Sequence, residues 1–125
     1  LDWIWIIALG LVVFLFIKRS APAKGVRQLT TAELADEMKK NNKTAYYIDV
    51  RTPGEYKSGH IKKFKNIPLQ QIQARTSELP KDKELVLICQ SGNRSGVASK
   101  KLKKLGFEKV ANVRGGMSAW QGQRV

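Results

Sequence analysis

The stretch Glu84-Leu85-Val86-Leu87-Ile88-Cys89-Gln90-Ser91-Gly92-Asn93-Arg94-Ser95 decides the reading of this chain. Its first half is an apolar run of strand length that gives way to turn residues. Cys89, the only cysteine in 125 residues, stands where that strand should end. Ser95 to Leu105 then places Ala98, Leu102 and Leu105 at helical spacing, with Lys100, Lys103 and Lys104 on other faces and Gly106 as the stop. A thiol at such a junction is surrounded by backbone N–H groups and lies at the positive end of a helix dipole, with Arg94 nearby. Each of these favours thiolate over thiol. A lone cysteine after an apolar strand also reads as a small buried hydrophobe. The loop weighs against that reading. A core cysteine does not require Gly92 for a tight backbone, turn and N-cap types at Ser91, Asn93 and Ser95, and an arginine to close the loop.

Working outward, strands alternate with helical stretches. Gln28-Leu29 is a short first strand, and Thr30-Thr31-Ala32-Glu33 is a capping box that opens a helix. That helix should bury Leu34, Ala35 and Met38 and stop at Asn41-Asn42. Ala45 to Val50 reads as a buried strand, Pro53 to Tyr56 as a helix start, and Lys65 to Ile67 as a brief strand. Leu69 to Leu79 reads as a loose helix stopped by Pro80, Lys109 to Val113 as the last strand, and Ser118 to Gln121 as a final helical turn. The fold class is therefore α/β, a mainly parallel sheet of about five strands flanked by helices on both faces. Ligands of such sheets bind at the carboxyl ends of the strands. Cys89, Asp49-Val50-Arg51 and Arg114-Gly115-Gly116 each follow a strand, so the three clusters converge on one edge.

The spacing of the loop narrows the chemistry. Arg94 follows Cys89 by five residues, a Cys-x4-Arg loop. Protein tyrosine phosphatases use a loop one residue longer, which must enclose a tetrahedral phosphoryl group. With this loop come Asp49-Val50-Arg51, Glu55-Tyr56, Gly59-His60-Ile61, Asn66-Ile67-Pro68-Leu69 and Gly115-Gly116-Met117-Ser118-Ala119-Trp120, in that order. As an ordered set spanning about Val26 to Trp120, these motifs resemble the rhodanese homology domain. One departure is plain. The family usually continues Gly-His-Ile with Pro-Gly-Ala, where this chain has Lys62-Lys63-Phe64.

The resemblance implies a sulfurtransferase. Cys89 would be the nucleophile that takes sulfane sulfur from thiosulfate, polysulfide or a persulfide donor and passes it to a thiol or cyanide acceptor, a covalent two-step cycle. The loop Gln90, Ser91, Gly92, Asn93 and Ser95 would bind the anionic adduct through its amides, as an oxyanion hole does. Arg94 either binds the anion or buttresses the loop. Arg51 either binds anionic donor or bridges to Glu55 four residues on, and the bridge is the favoured reading. Asp49 should hold a loop by accepting backbone N–H bonds. The family makes His60 a structural loop residue, and Met117 and Trp120 read as packing. No cofactor is called for, and one cysteine with one histidine supplies too few ligands for a metal site. The alternatives from other classes are a rhodanese-fold phosphatase or arsenate reductase, which the loop length opposes, and a non-catalytic docking module, which the intact cysteine opposes.

Outside this domain, Trp3 to Ile17 is an uninterrupted apolar run. As a helix it would be about 22 Å long, against a hydrocarbon core of about 30 Å. Leu1 and the stem of Lys18 extend it. All 23 lysines and arginines lie at or after Lys18, and only Asp2 precedes the run. The expected organisation is a transmembrane anchor at residues 1–19, a linker at 20–25 and the catalytic domain at 26–125. By the positive-inside rule this is a single-pass protein of the cell membrane, N-terminus outside and domain cytoplasmic. The net charge of +13 suits an anionic lipid surface. Nucleic-acid binding is disfavoured, because aromatic residues are not interleaved with the basic ones. A single cysteine excludes an internal disulfide, and nothing points to an oxidising compartment.

Overall fold

The computed structural model describes residues 2–20 (backbone only at 16–20), 24–40 and 43–125. Leu1, residues 21–23 of the expected linker and the Asn41-Asn42 helix stop lie outside the described residues. Five strands, β1 (Val26–Leu29), β2 (Ala45–Asp49), β3 (Lys65–Asn66), β4 (Glu84–Ile88) and β5 (Val110–Val113), form one sheet in the order β1-β5-β4-β2-β3. Every pairing is parallel. The helices are α1 (Asp2–Ser20), α2 (Thr31–Lys39), α3 (Pro53–Ser58), α4 (Asn93–Lys104) and α5 (Gly116–Ala119).

The two-residue period of β4 explains how both faces are covered. Leu85, Leu87 and then Cys89 join Ile48, Val50, Ala98, Leu102 and Phe107 in one cluster. Val86 and Ile88 join Leu29, Leu34, Ala111, Val113 and Met117 in the other. Leu85, Leu87 and Ile88 have no exposed surface, and each such side chain contributes roughly 2 kcal/mol relative to exposure. Only the middle strands of a parallel sheet can be this apolar on both sides.

The capping box at Thr30 forms as the sequence predicts, with Glu33 N donating to Thr30 Oγ1 at 3.1 Å and Thr30 N to Glu33 Oε1 at 3.1 Å. Several expected details differ. Leu34 alone is fully buried on α2, while Ala35 and Met38 are half-buried. The helix expected over Leu69–Leu79 is two separate 3₁₀ turns, Leu69–Gln71 and Thr76–Glu78. Neither turn gains a side-chain cap, and Ile72 and Leu79 bury themselves from the turns without a continuous helix. Leu105 is exposed, because α4 ends at Lys104 and the chain turns away through Gly106 at φ +97°.

α1 is helical, and Asp2 to Leu15 are all exposed. Among the described residues no helix is long and apolar enough to cross a membrane. The single-pass span expected of residues 3–17 therefore has no support here. Its fifteen apolar residues reach only about 22 Å, short of the roughly 30 Å of hydrocarbon.

Candidate active site

Cys89 leaves the central strand between two connections that diverge. The chain after β4 runs through α4 to β5 on one side, and the chain after β2 leads toward β3 on the other. This divergence opens the crevice where parallel sheets bind ligands. Gly92, at φ +100°, is the N-cap of α4 and turns its amide back onto the thiol. Gly92 N donates to Cys89 Sγ at 3.0 Å. Ser95 Oγ lies 3.3 Å from the same sulfur. The helix behind the sulfur is twelve residues long, and its first turn leaves amides without intrahelical partners. Cys89 itself has no exposed surface. A buried hydrophobe would be equally covered, but it would not be met by an N–H and a hydroxyl on sulfur.

A second loop holds the first from behind. Met117 N donates to Cys89 O at 2.9 Å and Ser118 N to Gln90 O at 2.9 Å. Ser118 Oγ adds a bond to Gln90 O at 2.8 Å, and Gln90 Nε2 reaches Ser118 Oγ at 3.1 Å. This approach requires Gly116. A Cβ there would overlap the Cys89 carbonyl oxygen and come within 2.8 Å of Gln90 C, and the residue sits at φ +55°. The Gly115-Gly116-Met117-Ser118 motif is thus the clamp on the backbone of Cys89 and Gln90.

The two arginines take different partners from those the sequence suggests. Arg51 does not bridge to Glu55. It is buried at 4% exposure and pairs with Asp49, with Nη2 to Oδ2 at 2.8 Å and Nε to Oδ1 at 3.0 Å. Nη2 also donates to Gly59 O at 2.7 Å, and Nη1 lies 3.5 Å from Gln90 Oε1. Asp49 Oδ1 accepts Arg51 N at 3.0 Å, the backbone role expected of it. The four-residue spacing of Arg51 and Glu55 misled because Arg51 precedes the helix and turns inward instead of lying along its surface.

Glu55 belongs to Arg94. Nη1 meets Oε1 at 2.6 Å and Nη2 meets Oε2 at 2.8 Å, a bidentate pair with each side chain about one third exposed. Glu55 also closes a capping box on Thr52, accepting Thr52 N at 3.1 Å. The Arg94 guanidinium, ahead of the Thr52 bonds, holds the Glu55 carboxyl down at about 2. Arg94 is raised in turn, first by Glu55 and to a smaller extent by the charge of Cys89. Arg94 therefore faces outward to Glu55 while remaining within electrostatic reach of the sulfur.

His60 is not paired with Cys89. Its ring stacks on Tyr56 at 3.7 Å and its Nδ1 lies 2.9 Å from Tyr56 O. The Lys62-Lys63-Phe64 departure is a turn with Lys63 at φ +80° and Phe64 buried beneath it. Gln90 is half-buried, and Ser91 and Asn93 are exposed at the outer rim of the loop. Sequence reading missed Asn112, which is buried beside Ser95. Its only signal is a polar residue inside the apolar strand Val110–Val113.

Residues 30–123 match the profile of the Rhodanese-like domain family. The chain is similar to the uncharacterized protein YqhL of Bacillus subtilis, 40% identical over 88 residues that cover 70% of each chain. It is similar to a sulfurtransferase of Allochromatium vinosum, 42% identical over 73 residues, 58% of this chain and 68% of the relative. Among solved structures, the Rhodanese-like domain protein of Staphylococcus aureus superposes with a TM-score of 0.71 at 32% identity, over 78% of this chain and 93% of that one.

Proposed function

The chain belongs to the rhodanese-like domain family, and from that premise we propose that it moves sulfane sulfur through a persulfide on Cys89. In the first half of the cycle the Cys89 thiolate attacks the outer sulfur of thiosulfate. The sulfur–sulfur bond of the donor breaks, sulfite leaves with the electron pair, and Cys89 carries a persulfide anion. In the second half a thiol or cyanide attacks that outer sulfur and the thiolate is restored. A polysulfide or protein persulfide donor enters the same way, the leaving group being the shortened polysulfide or the donor's thiolate. The observation that carries the reading is the N–H of Gly92 on the sulfur, inside a loop held by the 115–118 clamp. A donor fixed on Sγ stabilises the thiolate that attacks and that is restored when the outer sulfur is passed on.

Cys89→Ser keeps the shape and removes the nucleophile. Thiosulfate:cyanide transfer should vanish in that variant, and intact-protein mass spectrometry after thiosulfate or polysulfide should show the gain of one sulfur atom in the wild type only. Wild-type turnover by Cys89→Ser would end the proposal.

The apolar helix α1 adds a location to this reading. Its exposed side chains are apolar all round from Trp3 to Leu15, and water does not tolerate such a surface on an isolated helix. Membrane attachment through residues 3–17, with the basic domain on the cytoplasmic side, accounts for both the helix and the charge.

A further inference from the structure

Behind the thiol runs a buried chain of polar side chains that the sulfur chemistry leaves unused. Ser95 on α4 and Asn112 on β5 are 0% and 6% exposed. Ser95 Oγ lies 3.3 Å from Cys89 Sγ, 3.3 Å from Gly92 O and 2.5 Å from Asn112 Oδ1. Asn112 Nδ2 donates to Gln28 Oε1 on β1 at 3.2 Å. In this arrangement the amide oxygen, not the nitrogen, faces Ser95.

A serine hydroxyl has one proton. The amide oxygen has none, so a contact this short between the two oxygens requires the Ser95 proton to lie between them. Toward the sulfur, Ser95 then presents a lone pair. A lone pair suits a neutral thiol, whose S–H can donate to it. It does not suit a thiolate, which leaves two electron-rich atoms face to face. On ionisation the hydroxyl must rotate to donate to sulfur and give up Asn112.

We propose that Ser95 and Asn112 form a two-position switch that sets the charge on Cys89. Ser95 bonds to Asn112 while the sulfur is a thiol, and turns to the sulfur when it becomes a thiolate. Gly92 N–H is the permanent donor, and Ser95 is the one that responds to charge. The proton of Ser95 is redirected and never transferred; the thiol proton leaves to solvent. Asn112 competes for that hydroxyl and so restrains ionisation, and Gln28 holds Asn112 in the competing orientation. These are positioning residues for the reaction, and the inference rests on Cys89 being the sulfur-carrying nucleophile. The charged groups around the thiol are the Arg94–Glu55 pair from α4 and α3 and the Asp49–Arg51 pair after β2. None of them is altered in the test.

The test is a pH titration of thiolate ultraviolet absorbance in the full chain, read as a difference against Cys89→Ser. With one cysteine in the chain the signal has one source. Ser95→Ala should move the midpoint up by about half a pH unit or more, the loss of one hydrogen bond to the anion. Asn112→Leu should move it down, because the hydroxyl is freed for sulfur. Gln28→Leu, at a half-buried edge position, should move it down by less, and it keeps the switch testable if the buried Asn112 variant does not fold. A pair that only packed the core would loosen the loop in every variant and shift all midpoints the same way. Shifts of the same sign, or none, would overturn the switch. Persulfide mass is recorded in parallel. A persulfide with unshifted midpoints removes the switch and leaves sulfur transfer standing. Opposite shifts without a wild-type persulfide do the reverse.

Discussion

Replacing Glu55 by Gln removes one charge from the mouth of the site and keeps nearly the same shape. The carboxylate accepts both Arg94 nitrogens, at 2.6 Å and 2.8 Å, and Thr52 N at 3.1 Å. Its folded value of about 2 lies well below the ordinary 4.5, a gap that taken at face value would be worth about 3 kcal/mol. Each partner is about one third exposed, so solvent screening reduces the benefit to the upper end of surface pairs, about 1 kcal/mol. Glutamine can still accept from Thr52 N, so most of the cap survives. The variant should therefore be about 1 kcal/mol less stable at neutral pH. The pH dependence has a definite sign. A carboxylate with a depressed folded value contributes fully above its unfolded value, and that contribution is lost as pH falls from 4.5 through about 2. Urea unfolding of wild type and Glu55→Gln, repeated from neutral pH down to about pH 2, should show the two midpoints converging at the acid end. A gap that stays constant, or widens as pH falls, would refute the ionic account of the pair.

Two further expectations follow from the same geometry. Gly116→Ala should cost roughly 3 kcal/mol or more and abolish persulfide formation, because its Cβ overlaps the Cys89 carbonyl. Gly54→Ala, whose Cβ meets nothing within 4 Å, is the control and should stay within about 1 kcal/mol in thermal melts. For the location, the domain should sediment with membranes and resist protease added to intact cells, or to spheroplasts if there is an outer membrane. A soluble domain digested from outside would refute cytoplasmic membrane attachment.

The number of strands and the parallel sheet covered on both faces were legible because burial writes a short-range pattern. Leu85-Val86-Leu87-Ile88 can only be a strand covered on both sides, and the Thr30 box announces a helix in four letters. The Thr52-Pro53-Gly54-Glu55 box is equally present in the sequence. The four-residue spacing draws its glutamate to Arg51 instead, a rule for helix neighbours that does not hold across a helix start. The clamp on Cys89 was legible only as a motif. That Gly116 lies against the carbonyl oxygen of Cys89, 27 residues before it, depends on the register of β4 against β5. The Ser95–Asn112–Gln28 chain draws on α4, β5 and β1. The one local signal of Asn112 is a polar residue inside an apolar strand, and its partners appear only in the assembled sheet.

The partner exchange between the two arginines bears on where an anionic donor is recognised. Arg51 and Asp49 are 4% and 0% exposed, and Arg51 is also tied to Gly59 O. Separating such a pair strands a buried charge, at a cost of about 3–5 kcal/mol. Arg94 and Glu55 are each about one third exposed, and separating them costs about 1 kcal/mol or less, since water takes up both charges. A small anion competing for a guanidinium pays the lesser cost at Arg94 and cannot readily meet the greater one at Arg51. Within the proposed function, the difference in cost favours Arg94 over Arg51 for donor recognition. Arg51 is left to brace the loop through Asp49. On that proposal Glu55 would be a resident competitor, one carboxylate that an incoming thiosulfate or persulfide displaces before its sulfur meets the thiolate.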